Sequence, residues 1–312
     1  MDVLRLTLRQ LQIFVAVARS GTTTAAADEI ALSQSATSSA VNELERLLSL
    51  HLFDRVGKRL LLNDNGRALL PRALALLDGA SGIEQMSHEG HGQAQSLRIG
   101  ASTTIGNYVL PKLLARFMSQ WAPGAAEAWR SRIVIENTAS ICDAVAAFEL
   151  DVGLIEGSSH QPALTVTPWL QDEMEVVASP DNPLAHAGED KRAPLRALRE
   201  QVWLVRESGS GTREATDQAL LPHLRAYRRV IELGSSEAIK HAAAENLGVA
   251  CLSSWVVRDL IDAGRLARVA TTLPRIVRQC NVVVHGKKQL TPALRSFIEG
   301  ALAATPVFGM PD

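Results

Sequence analysis

The hydrophobic period of the chain changes near residue 96, and this change divides the sequence into two kinds of structure. Before that point apolar residues recur every three to four positions, the period of an amphipathic helix. After it, short apolar runs such as LRIGAS, RIVIEN and DVGLIEG alternate with helical stretches. Strands that alternate with helices predict parallel α/β sheets. We therefore expect a helical N-terminal domain and, in the rest of the 312 residues, an α/β domain of two lobes.

Two helices joined by a short turn are predicted near the N-terminus. The segment LRQLQIFVAVARSG has one apolar face and ends at Gly21, where a left-handed residue commonly closes a helix. A short helical segment, TTTAAADEIAL, is capped by one of its threonines and leads to a further helix that Ser33 is placed to cap. This spacing is typical of a helix-turn-helix. A turn at Gly57 between two apolar runs adds a small hairpin, or wing.

The helix that follows Ser33 has short polar side chains on its outward face. Its apolar residues fall on one stripe, as in any buried helix face. One interpretation is an ordinary surface helix. The alternative is a helix that approaches another macromolecule closely, where hydroxyl and amide groups both donate and accept hydrogen bonds. The outward residues are Gln34, Ser35, Ser38, Ser39 and Asn42.

Positive charge is concentrated around the predicted wing, although the formal net charge of the chain is only −1. Asp54 and Asp64 are the acidic residues within this stretch. A charge cluster is commonly a solvated surface, and this one gains meaning because it follows a predicted helix-turn-helix. The cluster consists of Arg55, Lys58, Arg59, Arg67 and Arg72.

A longer helix is predicted from Asp64 to about Ser87, and its apolar residues have the spacing of a coiled-coil seam. Pro71 either kinks this helix or moves its beginning toward that residue. The polar, glycine-containing segment SHEGHGQAQS then predicts a flexible linker. The seam residues are Leu69, Ala73, Leu76, Ala80 and Ile83.

Residues 8–77 resemble, without a gap, the winged helix-turn-helix and linker helix of the LysR-type transcriptional regulators. The segments LRIGASTTIGNYVLP, DVGLIEG, RESGSGTRE and SSEAIKHAAAENLGVACLS resemble the effector-binding half of that family, closest to its sulfite- or sulfur-responsive and Calvin-cycle regulators. The resemblance implies a winged helix-turn-helix at 1–65 and a linker helix with hinge at 66–95. It also implies a two-lobed, periplasmic-binding-protein-like α/β effector domain at 96–312. Lobe I would take about 96–170 and 268–312, and lobe II about 171–267.

The resemblance implies that the Ser33-capped helix lies in the major groove of double-stranded DNA. Glutamine can pair with adenine, and serine accepts more than one base partner. Many relatives carry arginine where this chain has Ser39, so the operator sequence does not transfer. The family also implies a dimer through the linker helix, a tetramer through the effector domains, and contact with RNA polymerase in activators. The implied DNA-binding residues are Thr23, Thr24, Gln34, Ser35, Ser38, Ser39, Arg55, Lys58 and Arg59.

Hydroxyl-bearing residues follow several predicted strands at the point where a helix begins. Backbone N–H groups and hydroxyls there attract anions, and in open α/β sheets ligands bind beyond the carboxyl ends of strands. Alternatively, each hydroxyl caps only its own helix. We expect a compact anionic effector between the lobes, with sulfite first by the subgroup resemblance, and a phosphorylated metabolite or NADPH as alternatives. The candidate effector-binding residues are Ser102, Thr103, Thr104, Asn137, Thr138, Glu156, Ser208, Ser210, Gly211, Thr212, Arg213 and Ser236.

Glu156 stands out because it ends an otherwise apolar strand. It is an ordinary surface carboxylate in one interpretation. In others it accepts a hydrogen bond from a protonated oxyanion such as bisulfite, or it orients Arg213 toward the ligand.

Other classes of protein are less consistent with the sequence. An enzyme would need a nucleophile with its base, and the chain has no GxSxG motif, while ESGSGT lacks the lysine of a P-loop. A small-anion binding protein without DNA function would leave the first ninety residues unexplained. A redox sensor would want paired thiols, whereas Cys142, Cys251 and Cys280 are far apart. We expect no metal site, no cofactor, no membrane span, no signal peptide and a cytosolic location.

Overall fold

The structure is a computed structural model that describes residues 5–89, 97–121, 131–185 and 192–304. The chain divides into two compact units, residues 1–93 with 287–289 and residues 94–286 with 290–312. The predicted linker falls largely on residues 90–96, which lie outside the described residues. No helix in the described ranges is long and apolar enough to cross a membrane.

The first unit is a winged helix-turn-helix followed by a long helix. Its elements are α1 Leu8–Ser20, α2 Thr23–Glu29, α3 Gln34–Leu48, β1 Phe53–Val56, β2 Arg59–Leu62 and α4 Asp64–Glu89. The predicted caps are confirmed. Gly21 ends α1 with φ 69°, Thr22 accepts from the Ala25 N–H at the start of α2, and Ser33 accepts from the Ala36 N–H at the start of α3.

The three short helices and the hairpin enclose one apolar core. Phe14, Leu44 and Leu52 are completely buried in it, and the ring of Phe14 lies 5.5 Å from that of Phe53. The hairpin pairs Val56 with Arg59 across a turn at Gly57, whose φ is 62°. Because the apolar stripe of α3 faces this core, its polar face is turned outward.

Helix α4 begins at Asp64, so Pro71 lies inside the helix and does not mark its beginning. Gly66 allows α4 to start against the hairpin, because a Cβ there would lie 2.2 Å from the Leu52 carbonyl oxygen. Of the predicted seam, Ala73 is fully buried in the core of the unit, whereas Leu76 and Ile83 are 55% and 69% exposed.

The second unit contains the remaining strands and helices of the described chain. Its strands are β3 Arg98–Ser102, β4 Arg132–Glu136, β5 Val152–Glu156, β6 Leu164–Ala178, β7 Val202–Val205, β8 Arg229–Glu232, β9 Val249–Ser253, β10 Ala267–Arg268 and β11 Ile276–His285. Its helices are α5 Thr103–Tyr108, α6 Leu110–Trp121, α7 Thr138–Ala146, α8 Leu195–Glu200, α9 Gly211–Leu224, α10 Ser236–Ala244, α11 Ser254–Asp262 and α12 Pro292–Ala303.

These strands form one mixed sheet in the order β4-β3-β5-β11-β6-β9-β7-β8, with β10 paired to β6. Strands β4, β3 and β5 are parallel, and so are β8, β7 and β9, as the sequence predicts. The central strands are antiparallel to their neighbours, which the sequence did not predict. The chain crosses between the two parallel sets along them. We call the β3–β5 side lobe I, the β7–β9 side lobe II, and β6 with β11 the crossover strands.

Strand β6 is longer than the sequence pattern indicates. The short run MEVVASP was predicted as a strand, but β6 extends through 15 residues from Leu164 and includes Pro168. Proline cannot donate to a sheet ladder, which argues against a strand from sequence alone. The register between β6 and β11 shifts between Gln279 and Asn281, and Asn281 faces Pro168 across the ladder.

Candidate DNA interface and effector cleft

The nine predicted DNA-binding residues lie on α2, α3 and the wing, and all of them are exposed or half-buried. The Gln34 side-chain amide donates to the Thr23 hydroxyl at 3.0 Å. This contact links the start of the outward helix to α2 and holds the Gln34 carboxamide in one orientation. Arg55, Lys58 and Arg59 are exposed on the hairpin.

A shallow depression of about 320 Å³ lies where α3 meets the wing. Ser38 and Asn42 of α3 and Arg55 of the wing share its lining, so the helix and the hairpin present one concave polar surface. The Glu45 carboxylate supports it by accepting from the Leu52 N–H at 2.7 Å.

The centre of the second unit is a buried guanidinium, that of Arg278 on β11, which is 4% exposed. Its Nη1 donates to the Glu156 carboxylate at 3.0 Å and to the Thr212 hydroxyl at 2.8 Å. Its Nη2 lies 2.6 Å from Asp172 and 3.3 Å from the Thr104 hydroxyl, and Nε donates to Asp172 at 2.7 Å. One side chain therefore contacts lobe I, lobe II and the other crossover strand.

Strand pairing positions the acidic partners of this arginine. Asp172 is directly opposite Arg278 in the β6–β11 ladder, and it also accepts from the Ser253 hydroxyl at 2.8 Å. Glu156 ends β5, where its carboxylate accepts from the Ile105 N–H at 3.0 Å.

Asp172 and Glu156 share the one guanidinium, and the pKa of Asp172 is raised by its burial in this cluster. Burial raises the pKa of Asp172; Arg278 opposes this shift, and the negative charge of Glu156 adds to it. Burial alone would lower the pKa of Arg278, but Glu156 and Asp172 outweigh it and raise that pKa, so the guanidinium stays charged.

A second buried arginine lies nearer the edge of the cleft. Arg206 at the end of β7 donates to Glu207 at 2.7 Å and to the Ser236 hydroxyl at 3.1 Å. Glu207 in turn accepts from the Asn137 amide of lobe I at 3.2 Å. Burial raises the pKa of Glu207, but its hydrogen bonds, that with Arg206 above all, outweigh burial and lower it.

A cavity of about 410 Å³ lies between α7 of lobe I and the start of α9 of lobe II. The predicted residues Thr138, Ser208 and Ser210 line it, together with Arg213. Arg213 pairs with Asp217 at 2.7 Å and Glu232 at 3.3 Å, so the idea that Glu156 orients Arg213 is wrong: the partner of Glu156 is Arg278.

The predicted effector residues thus lie in different environments: around Arg278, along the cavity between α7 and α9, beside Arg206, and at the end of β4. Glu156, Thr104 and Thr212 surround Arg278, and Ser102 donates to the Leu154 carbonyl and accepts from the Glu156 N–H. A Cβ at position 211 would lie 2.1 Å from the Glu156 carbonyl oxygen. Only glycine at this position lets the start of α9 approach the end of β5 so closely. The Ser236 hydroxyl accepts a hydrogen bond from Arg206. The Thr103 hydroxyl donates to the Glu136 carbonyl at 3.4 Å.

Sequence reasoning missed Arg278, Asp172, Arg206 and Glu207. The available signal was charge inside apolar strands: IVRQCNVVVH carries Arg278, and QDEMEVV carries Asp172. Opposite charges within two such strands indicate a pair, because a lone buried charge is costly.

The three cysteines are buried, and none of them forms a disulfide bond. Burial raises the pKa of Cys251 to about 12 and raises that of Cys280 well above its ordinary value. Since the thiolate is the reactive form, neither thiol is activated for oxidation.

Together, a winged helix-turn-helix and a two-lobed α/β domain with a polar, charge-lined cleft define a ligand-responsive DNA-binding regulator. The family described as "LysR substrate binding domain" matches residues 90–305, and "Bacterial regulatory helix-turn-helix protein, lysR family" matches residues 8–67. The chain belongs to the LysR family of transcriptional regulators, whose members are not enzymes. The resemblance inferred from sequence is confirmed.

Relatives of the predicted subgroup align along most of the chain. The uncharacterized HTH-type transcriptional regulator YeiE of Escherichia coli K12 is 45% identical, covering 95% of this chain and 97% of its own. The RuBisCO operon transcriptional regulator of Allochromatium vinosum is 30% identical, with 96% and 97% covered. HTH-type transcriptional regulator CysL of Bacillus subtilis is 31% identical, with 80% and 82% covered. Among solved structures, the Synechocystis CcmR regulatory domain in complex with 2-PG is 30% identical with a TM-score of 0.59, covering 69% of this chain and 99% of that one.

Replacing Arg278 with methionine should lower the free energy of unfolding by about 3–5 kcal/mol at neutral pH, because it leaves two buried carboxylates without their cation. Burial already raises the pKa of Asp172 and Arg278 opposes this shift, so in the folded variant the Asp172 pKa lies further above its unfolded value. Stability is therefore retained at low pH and lost as pH rises through the folded pKa. Urea unfolding of the full chain at about pH 5 and pH 8 measures both effects.

Arg275→Met is the matched control, because Arg275 immediately precedes the same strand but its side chain is 58% exposed in its ion pair with Glu173. Its cost should be about 1 kcal/mol or less at either pH. Equal losses for the two variants would contradict the central role of Arg278.

Proposed function

We propose that the effector of this LysR-type regulator is a small oxyanion that binds between the lobes and changes how the protein binds DNA. Sulfite is the first candidate, and a phosphorylated metabolite or NADPH is the alternative. The observation that carries the proposal is the Arg278 guanidinium, buried at the junction of the lobes with the Thr104 and Thr212 hydroxyls beside it. A guanidinium with hydroxyls is the donor set that oxyanions favour.

The shape and lining of the cleft support a compact ligand. The cavity of about 410 Å³ is not lined by Arg278 but adjoins its cluster at Thr138, whose hydroxyl donates to the Glu156 carbonyl at 3.0 Å. Hydroxyl, charged and small side chains line it, and among the described residues His160 supplies its one aromatic ring. An aromatic acid would want flat stacking surfaces. The related CcmR domain, which binds 2-PG, supports small-molecule binding in this type of domain. A ligand can act only through its different affinity for two arrangements of the lobes.

A ligand panel tests this proposal. Sulfite, sulfate, phosphate or a sugar phosphate should raise the melting temperature of the full chain, because a ligand that binds only the folded state stabilises it. NADPH and an aromatic acid such as benzoate complete the panel, and calorimetry gives the affinity of each compound. Tight binding of benzoate with none by the oxyanions would overturn the proposal.

The DNA operator is proposed to be read by α3 and held by the wing. Gln34, Ser35, Ser38 and Ser39 face outward on α3, where short side chains permit close approach to base edges. Lys58 and its neighbouring arginines on the wing fit phosphates. Contact with RNA polymerase is part of the proposal where the protein activates transcription.

Gln34→Ala should weaken binding to a preferred operator by about 1–3 kcal/mol and leave random DNA little affected, because it removes a base contact. Lys58→Ala should weaken both DNAs about equally and reduce the salt slope by about one, because it removes a phosphate contact. Fluorescence anisotropy at several salt concentrations measures each quantity. Equal losses of Gln34→Ala on both DNAs would show that α3 does not read bases.

The linker helix is proposed to form a dimer, and the effector domains to extend it to a tetramer. Leu76 and Ile83 leave an apolar stripe on α4 that a two-fold partner can bury, which gains about 1.5–3 kcal/mol for each fully buried side chain.

Analytical ultracentrifugation should show a dimer or tetramer at micromolar concentration. The double variant Leu76→Glu, Ile83→Glu should dissociate further, because it places charges in the seam. Ser81→Glu adds a charge on an exposed position of the same helix outside the seam, and its assembly should match the parent protein. A monomeric parent protein would contradict the dimer.

A further inference from the structure

The guanidinium of Arg278 has no donor left for a ligand. Its five N–H bonds are matched by five contacts: two to Asp172, one to Glu156 and one each to Thr104 and Thr212. An incoming anion can reach this guanidinium only by replacing one of these partners.

Charge decides that the replaced partner is a carboxylate. Glu156, Asp172 and Arg278 have side chains at most 2% exposed and together carry a formal charge of −1 when all are ionised. Adding an anion beside both carboxylates would bury a charge of at least −2, which the low-dielectric interior strongly disfavours. Exchange of one carboxylate for the anion avoids this increase when the anion is singly charged, and limits it when the anion is doubly charged.

Glu156 is held less strongly than Asp172. Asp172 has two contacts to the guanidinium, at 2.6 and 2.7 Å, and a hydrogen bond from Ser253 at 2.8 Å. Glu156 has one contact to the guanidinium at 3.0 Å, one hydrogen bond from the Ile105 N–H at 3.0 Å and a longer one from Thr212 at 3.5 Å. Asp172 is directly opposite Arg278 in the β6–β11 ladder, whereas Glu156 is opposite Cys280 in the β5–β11 ladder.

We propose that the anionic effector binds Arg278 by displacing the Glu156 carboxylate, so that Glu156 is a tethered competitor for the effector's own site. The inference rests on the proposed oxyanion effector and deepens it. The two oxygens of Glu156 accept from different donors, one from Ile105 N–H and the other from Arg278. The ligand class is therefore an anion that presents two oxygens from one central atom, as sulfite, sulfate or a phosphate group does.

Displacing Glu156 from Arg278 directly changes a side-chain contact between the two lobes. While Glu156 occupies the guanidinium, its carboxylate also accepts from the Thr212 hydroxyl at 3.5 Å, which joins lobe I to lobe II. An effector in its place contacts Arg278 between the Thr104 hydroxyl of lobe I and the Thr212 hydroxyl of lobe II. This side-chain contact between the lobes is then made through a dissociable ligand, while β5 stays paired with β11.

Calorimetric titration of the full chain with sulfate and with sulfite tests the exchange. Glu156→Gln keeps the size of the side chain and removes its charge, so it should bind both anions at least about tenfold more tightly than the parent protein. Glu156→Asp withdraws the carboxylate by one methylene and should also bind more tightly, by a smaller factor. Glu173→Gln is the matched control, since this carboxylate pairs with exposed Arg275, and it should bind like the parent.

The outcomes separate the exchange from the proposed function. Unchanged or weaker anion binding by both Glu156 variants, with binding by the parent, overturns the exchange alone and leaves the oxyanion effector in place. Tighter binding by Asp172→Asn but not by Glu156→Gln overturns it as well, because Asp172 would then be the group displaced. If neither the parent nor Glu156→Gln binds sulfite, sulfate, phosphate or a sugar phosphate while thermal unfolding shows both to be folded, the exchange and the oxyanion effector are both wrong.

Discussion

The second unit depends on a single buried cation, the Arg278 guanidinium, which forms ion pairs with two carboxylates. Arg278 binds Asp172 across the strand ladder, Glu156 from lobe I and Thr212 from lobe II, so three parts of the chain converge on one guanidinium. A buried ion cluster is a poor source of stability compared with apolar packing, because desolvation offsets much of the attraction. It is a strong source of specificity, because each charge has few acceptable partners. In this fold it joins side chains of both lobes and both crossover strands, in addition to the backbone ladders β5–β11 and β6–β9.

The N-terminal unit could be predicted almost entirely from sequence. Its caps at Thr22, Ser33 and Gly21 are local features, in which a hydroxyl or a glycine meets backbone groups a few residues away. Such features can be recognised in a sequence because they need no partner distant along the chain. The outward orientation of Gln34 and the serines of α3 follows from the opposite apolar stripe.

The effector cleft could be predicted only in part. The positions of Thr104, Glu156 and Thr212 follow from the rule that ligands lie at the carboxyl ends of parallel strands. Their central partner does not, because Arg278 is 106 residues from Asp172 and meets it through an antiparallel ladder that the sequence reading did not expect. For the same reason the sequence singled out Glu156 but gave it the wrong arginine. Several hydroxyls expected to face a ligand are instead buried in contacts of the protein itself.

The continuous crossover strands also have a consequence for how the effector domain can be divided. Strand β6 pairs with β11 from Leu164 to Met174 and with β9 from Met174 to Val177, while β11 pairs with β5 at its other end. If the chain were divided in the loops between the lobes, each half would contain a central strand without its neighbouring strand. Each half would also contain a buried charged residue without its counter-ion. The two lobes should therefore unfold together as one cooperative unit. Recombination between related regulators can exchange the effector domain as a whole more readily than a single lobe.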